Sequence, residues 1–464
     1  MRRRTKLAAI AAGVLVLLVG VPAQARSPHA QARPKPSKSP SASPTPSASA
    51  SPSPSPTQPP PPPPPSGGYW SDKYRQWPNG PNPTGDPAFY PIGVWLQNPD
   101  RVRNGQPNAI NYKNAGVTHD VGISSWPGCD WCPNEEDALV AGQWPAWLDA
   151  ANGAGKARVD ANPALAPWVR AWLLSDEADM AHSDPADTFA YPTNYRDYGA
   201  AMRALDPSRP TYSNFGKGMS IQDWVGYQYW QPGGTGTYEG DMALYCQSSD
   251  IVSADYYGWT DQWEPADYKG AWTYGQVIDS IRHYCGPDKL ALGFVETGHP
   301  DGSTADNSNW ITPDELEASV WSIVAHGGNG WVYFAHNFLS TGMVEDGLFD
   351  DPAMTARVTA VDAAVKALAS VLNAQSQPGV SVVSTNGIPV AYQYKPAVSG
   401  SRYIVAQADG DRTHTGSGAT TATFTVAGMA DGTAEVVGEG RTVPIVAGQL
   451  VDAFAAYGHH VYRF

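Results

Sequence analysis

Two carboxylates stand out by where they fall in the chain. Glu177 closes the segment VRAWLLSDE and Glu296 closes LALGFVE, so each follows an apolar run of strand character. Two carboxyl groups facing one cleft can break a glycosidic bond. One, protonated, gives its proton to the leaving oxygen; the other, ionised, attacks or supports the oxocarbenium-like carbon. At a separation of about 5–5.5 Å the outcome is retention of configuration. Ionised Glu296 is expected to raise the pKa of Glu177 and keep it an acid. Once Glu296 is esterified, Glu177 becomes the base for the attacking water. Asp176 precedes Glu177, and its ionised carboxylate accepts hydrogen bonds but cannot donate them. Asp255, Tyr256 and Tyr257 end another apolar run, Trp95 lies at the end of the first, and His336 and Phe338 lie just beyond the last. All are candidate substrate-binding residues. His119 and Asp120 fall inside a strand-like run, where a satisfied core histidine is expected.

The elements that must position these groups alternate along the chain. Strands are expected at 89–96 (FYPIGVWL), 117–124, near 156–159, 169–174 (VRAWLL), 210–215, 251–257 (IVSADYY), 290–295 (LALGFV) and 330–334 (GWVYF). A helix closes over 111–116, and further helices are expected through 195–205, 275–284 and 316–326. Such alternation indicates parallel βαβ units, and eight near-continuous apolar strands favour a closed (β/α)8 TIM barrel of the α/β class. Barrel strands present reactive groups at their C-terminal ends, and strands four and seven face each other across the ring. Beyond a helix at 355–372 the texture changes to short alternating runs at 380–384, 390–394, 403–407, 422–426, 434–437, 443–446 and 459–464. That pattern predicts a small antiparallel β-sandwich. The domain reading is a barrel over 69–374 and a sandwich over 375–464.

The N-terminus reads as an export signal: Arg2, Arg3, Arg4 and Lys6, an apolar run, then Ala23-Gln24-Ala25, with cleavage after Ala25. Residues 26–68 form a Pro/Ser-rich spacer that has nothing apolar to bury. A secreted, extracellular protein is expected, with the spacer suited to association with a cell wall. A net charge of −14 argues against nucleic acid and anionic membranes as partners. The 17 Trp and 23 Tyr fit flat rings lining a carbohydrate cleft. Four Cys in an exported chain imply disulfides; of three connectivities, Cys129–Cys132 with Cys246–Cys285 is favoured. The cysteine spacing does not suit zinc, and no metal or cofactor is expected. No G-x-G-x-x-G follows the first strand and no G-x-S-x-G elbow occurs, which disfavours dinucleotide binding and a Ser-His-Asp hydrolase.

The ordered set FYPIGVWLQ, LLSDE, LDPSRPTYSNFG, DIVSADYYGW and LALGFVE, over roughly residues 89–345, resembles the retaining (β/α)8 glycoside hydrolases of clan A. The C-terminal segment ending VDAFAAYGHHVYRF looks like the accessory domain that often follows such barrels. The resemblance implies Glu177 as acid/base and Glu296 as nucleophile, acting on β-linked glycosides or polysaccharides (EC 3.2.1.-) as a monomer. That clan usually carries Asn before the acid/base, where its amide contacts the sugar 2-hydroxyl; this chain has Asp176, which leaves the substrate open. A transglycosylase would share the site. The alternative is a non-catalytic carbohydrate-binding or cell-surface protein on a retired barrel.

Overall fold

The computed structural model describes residues 68–124, 129–181, 188–222, 233–302, 304–414 and 416–464. The leader at 1–25 and nearly all of the spacer lie outside these residues. Eight strands close into a parallel barrel: β1 (Ile92–Trp95), β2 (His119–Ile123), β3 (Ala146–Asp149), β4 (Val169–Asp176), β5 (Thr211–Phe215), β6 (Ile251–Ala254), β7 (Leu290–Glu296) and β8 (Trp331–Phe334). Closure is explicit in the register, since β1 pairs in parallel with both β2 and β8. Helices α1 (Asn108–Ala115), α2 (Cys132–Gly142), α3 (Ala154–Ala161), α4 (Pro192–Leu205), α5 (Tyr238–Ser248), α6 (Trp272–Cys285), α7 (Pro313–Ala325) and α8 (Pro352–Ala367) alternate with them. Local chemistry sets their ends. Thr312 and Glu315 form a capping box around Pro313 at the start of α7, and Asp351 caps α8 ahead of Pro352.

Strands β2, β5 and β7 are buried along their whole length, as strands covered on both faces must be. Their side chains alternate. Ala291 and Val295 of β7 belong to the apolar layer beneath the helices, so Leu292, Phe294 and Glu296 take the opposite parity and face the lumen. Rings fill that lumen: Trp95 meets Phe294 edge-on at 5.5 Å, His119 stacks on Trp147 at 4.1 Å, and Trp147 meets Tyr212 at 4.7 Å.

Three differences from the sequence reading have physical reasons. The third strand is Ala146–Asp149, not 156–159, which lies in α3. The segment AWLD offers only three apolar residues between Pro145 and Asp149, whereas the equally short β1, β6 and β8 sit in longer apolar runs. The later segment instead pairs Lys156 with Asp160 one helical turn on, at 2.6 Å. Second, β6 stops at Ala254, leaving Asp255, Tyr256 and Tyr257 in the loop beyond it. Third, the C-terminal part has eight strands rather than seven: β9 (Val380–Ser384), β10 (Ala391–Val398), β11 (Ser401–Gln407), β12 (Thr420–Val426), β13 (Gly432–Val436), β14 (Arg441–Val446), β15 (Gln449–Phe454) and β16 (His459–Arg463). The unforeseen strand is β15, a half-exposed run joined to β14 by a tight turn.

Hydrogen bonding links these eight in one continuous antiparallel sheet, in the order β9-β12-β15-β14-β13-β16-β11-β10, around a core of its own that includes Phe424, Phe454 and Tyr462. The sheet packs on α7. The Gln407 amide donates to the Ala318 carbonyl at 2.8 Å, and the Trp321 ring stacks on His459 at 4.0 Å. Both favoured disulfides are present: Cys129–Cys132 within one loop, and Cys246–Cys285 between the last turns of α5 and α6. Among the described residues no helix is long and apolar enough to cross a membrane.

Candidate active site

Glu177 follows the last residue of β4 and is brought into place by a local break in regularity. In the ladder between β4 and β5, Leu173 pairs with Tyr212 but Asp176 pairs with Asn214, so β4 carries one extra residue. The slip rotates Asp176 into line with lumen-facing Asn214. Glu177 then adopts a left-handed backbone (φ 44°), with its N–H donating to the Asn214 carbonyl at 3.0 Å. A non-glycine residue held there costs roughly 1–3 kcal/mol, and such strain concentrates at functional positions.

The groups around it are acidic. Asn214 donates from its amide nitrogen to Asp176 at 2.9 Å and to Asp255 at 3.2 Å. Tyr257 hydrogen-bonds to Asp255, and Asp255 shares a hydrogen bond with Glu177. Burial holds the Glu177 carboxyl well above the usual carboxylate range, reinforced by the charges of Asp255, Asp176 and Asp179. The expected rise is present, but its leading causes are burial and the nearer aspartates, not Glu296. Burial also pushes Asp176 up to about 7, against the pull of the Asn214 amide. Asp255 is raised by burial and by Asp176 and Asp179. Among the described residues, no Lys, Arg or His forms an ion pair with any of these carboxyls.

Glu296 ends β7 fully buried. Tyr274 of α6 donates to its Oε2 at 2.7 Å and Thr260 donates to its Oε1 at 3.0 Å. Burial raises its pKa to about 7, and these two donors restrain the rise. The loop after β6 ties the two carboxyls together. Thr260 and Asp261 both donate their backbone N–H to the Tyr257 carbonyl, at 3.1 and 2.9 Å, so one tight turn presents Tyr257 to the aspartates and Thr260 to Glu296. The Tyr257 phenol feels the charge of Asp255, Glu177, Asp176 and Glu296 alike.

The remaining candidates divide. Tyr257, Phe334, His336 and Phe338 form a run of rings, with Phe334 5.4 Å from Tyr257, 4.9 Å from His336 and 6.2 Å from Phe338. Burial lowers His336 to about 4, so its imidazole is neutral at pH 7. Trp95 is 1% exposed and packs edge-on against Phe294, two residues before Glu296. Tyr256 does not join the group; it points into the layer beneath the helices and donates to the Tyr268 carbonyl at 2.7 Å. His119 is a core residue, lowered to about 3 by burial and stacked on Trp147.

Sequence reading missed Asn214, Thr260, Tyr274 and Asp179. Asp179 accepts from the backbone of Gly216 and Met219 at 2.8 and 2.9 Å and so fixes the turn after β5. Asn214 could have been found, because it shares the lumen parity of Tyr212 within TYSNF. Nothing in the local sequence marks Tyr274, which arrives from a helix. Among the described residues no group of His, Cys, Asp and Glu is arranged to hold a metal ion.

No family model and no curated relative matches the chain. Solved structures do. A GH42 beta-galactosidase from G. stearothermophilus aligns with a TM-score of 0.49 at 10% identity, over 81% of this chain and 98% of that one. A family 51 alpha-L-arabinofuranosidase from Bifidobacterium longum aligns at 0.45 and 12%, over 82% and 95%. An Anoxybacillus alpha-amylase aligns at 0.45 and 9%, over 81% and 98%. Likeness at this level carries no argument about the chemistry of this chain.

Proposed function

We propose that the chain is a retaining glycoside hydrolase acting on β-linked glycosides or polysaccharides, with Glu177 as acid/base and Glu296 as nucleophile. The observation that carries this is a pair of buried carboxyls at the ends of barrel strands four and seven, each held by neighbours that set its protonation. Glu177, kept protonated by burial and by Asp255, delivers its proton to the glycosidic oxygen as that bond breaks. Glu296, ionised and steadied by Tyr274 and Thr260, forms the ester to the anomeric carbon. Water then attacks that carbon, Glu177 takes its proton, and the Glu296 carboxylate leaves. Asp176, Asp255, Tyr257, His336 and Phe338 surround the sugar, and Trp95 supports the floor. The leader at 1–25 exports the chain, which works outside the cell as a monomer with its barrel over 69–374 and sheet domain over 375–464.

A screen of aryl β-glycosides and polysaccharides with wild type, Glu177→Ala and Glu296→Ala tests the reading. Activity should fall at least about a thousandfold in both, a scale common for loss of a catalytic group. Azide should rescue Glu296→Ala with inverted product. Full activity in either variant would overturn the assignment. A second reading has one observation in its favour: both Glu296 oxygens already accept hydrogen bonds and the residue is fully buried, as in a structural acid of a sugar-binding protein. In that case wild type binds glycans but releases no reducing sugar, and Glu296→Ala chiefly lowers Tm.

A further inference from the structure

Among the described residues, nine tryptophans are buried in the core: Trp70, Trp77, Trp95, Trp144, Trp147, Trp172, Trp272, Trp321 and Trp331. Most of the described tryptophans are therefore packing residues. Two others behave differently. Trp263 is 73% exposed and Trp310 is 40% exposed, although burying an indole is strongly favourable. Both lie on loops at the C-terminal face of the barrel, one after β6 and one after β7, the face where the candidate acids sit.

Trp263 is close in sequence to Thr260, which touches Glu296, and Trp310 is linked to the loop after β7 through His299. Trp263 follows Thr260, the donor to Glu296, by three residues. Its backbone N–H donates to Asp261 at 2.8 Å, and Lys217 clamps Asp261 and Glu264 at 2.6 and 2.7 Å. Trp310 stacks on His299 at 5.4 Å with planes 16° apart, and His299 is the third residue after Glu296. Its indole N–H donates to the Asp306 carbonyl at 2.8 Å, while the Asp306 carboxylate accepts from the Ser340 backbone and hydroxyl at 2.7 and 2.6 Å. The Trp310 ring is fixed by its own contacts, and the Trp263 backbone is fixed by those of its loop. Each is an exposed ring on the loop face that carries the candidate acids.

We infer that Trp263 and Trp310 are stacking platforms for sugar units of a polysaccharide chain bound across the site, so that the substrate is a polymer and not a short glycoside. This rests on the hydrolase reading above. The occupant follows from shape and polarity: a pyranose offers an apolar C–H face to an indole and its hydroxyls to water, which suits a platform open at the rim. A globular protein partner would cover these rings together with a contiguous apolar patch. The neighbouring surface here is Asp261, Gln262 and Glu264 beside one ring and Asp306 beside the other.

Trp263→Ala, Trp310→Ala and the double variant should keep the wild-type Tm and wild-type kcat/KM on an aryl β-monoglycoside. On a soluble polysaccharide, each should lose about three- to tenfold in kcat/KM, mostly through KM, as expected for removal of one stacked ring. In native gels containing hydroxyethyl cellulose, mixed-linkage β-glucan, xylan or galactomannan, at least one polymer should retard wild type and not the double variant. Equal retardation of both proteins, or of neither by any polymer, overturns the inference. So does an equal loss on the aryl glycoside. If wild type hydrolyses nothing yet is retarded and the double variant is not, the hydrolase reading fails while the platforms stand.

Discussion

At the scale of the residue, the site is governed by unbalanced negative charge. Asp176, Glu177, Asp255 and Glu296 are all raised by burial, and the first three also by one another or by Asp179. Removing one charge should shift the rest. Asp255→Asn takes a negative charge from beside Glu177, lowers the Glu177 pKa, and should move the alkaline limb of kcat/KM to lower pH; a pH–rate profile reads it. Glu296 bears on stability. Its folded pKa of about 7 exceeds the ordinary 4.5, so between those values the folded state binds the extra proton. Its contribution is complete below pH 4.5 and is lost as pH rises through 7. In Glu296→Gln, Tm should therefore fall less than in wild type between pH 5 and pH 8, a range chosen to span about that window. The two glutamates were legible in the sequence because each ends an apolar run. Tyr256 was misassigned because a loop has no period to say which of two adjacent tyrosines turns inward.

Among the elements, strands and helices with strong patterns were read nearly to their ends, and β3 was lost because AWLD is a short apolar run set directly after Pro145. The loop after β6 matters most. It presents Tyr257, Thr260 and Trp263, and it is tied to the turn after β5 by Lys217. Such a contact between loops leaves no trace in sequence, since its partners lie far apart along the chain. Lys217→Ala leaves Asp261 and Glu264 without their cation in a half-buried place. It should cost about 1–3 kcal/mol in urea unfolding, the usual penalty for unpairing a partly buried polar group. It should also lower kcat more than an equally destabilising change elsewhere, because Thr260 loses its fixed approach to Glu296. Unchanged kcat on the most active substrate would show that the loop holds its shape without the clamp.

For the whole molecule, the joint between barrel and sheet domain is polar as well as apolar. Val405 and Val461 of the sheet extend the barrel core. Beside them His326, at the end of α7, bonds Asp279 at 2.7 Å and Asp409 at 3.0 Å, and Ser322 also donates to Asp409 at 2.7 Å. Although burial opposes the charge, the two carboxylates hold the imidazole well above its usual range. A raised folded pKa means that this contribution is complete below the ordinary histidine value of 6.5 and fades as pH climbs through the folded one. His326→Gln should lower Tm most at acidic pH and least at alkaline pH, in differential scanning calorimetry across the range. A constant difference between the two proteins would mean that the imidazole is not charged there. Composition and texture announced a second, antiparallel part of the chain, but not this joint, whose members come from α6, α7 and the end of β11.

Both polar ends of the Asn214 side chain are engaged. Its amide nitrogen serves Asp176 and Asp255, while its oxygen accepts from Ser253 at 2.6 Å, and Ser253 meets the Tyr212 hydroxyl at 2.5 Å. The orientation of the amide is thus dictated from the lumen upward, before any ligand arrives. Under the proposed hydrolase reading, a sugar would meet Asp176 and Asp255 already positioned, so little of its binding energy would be diverted to arranging them. On that reading selectivity would work by exclusion, because the carboxyls bonded to Asn214 are placed before a ligand arrives.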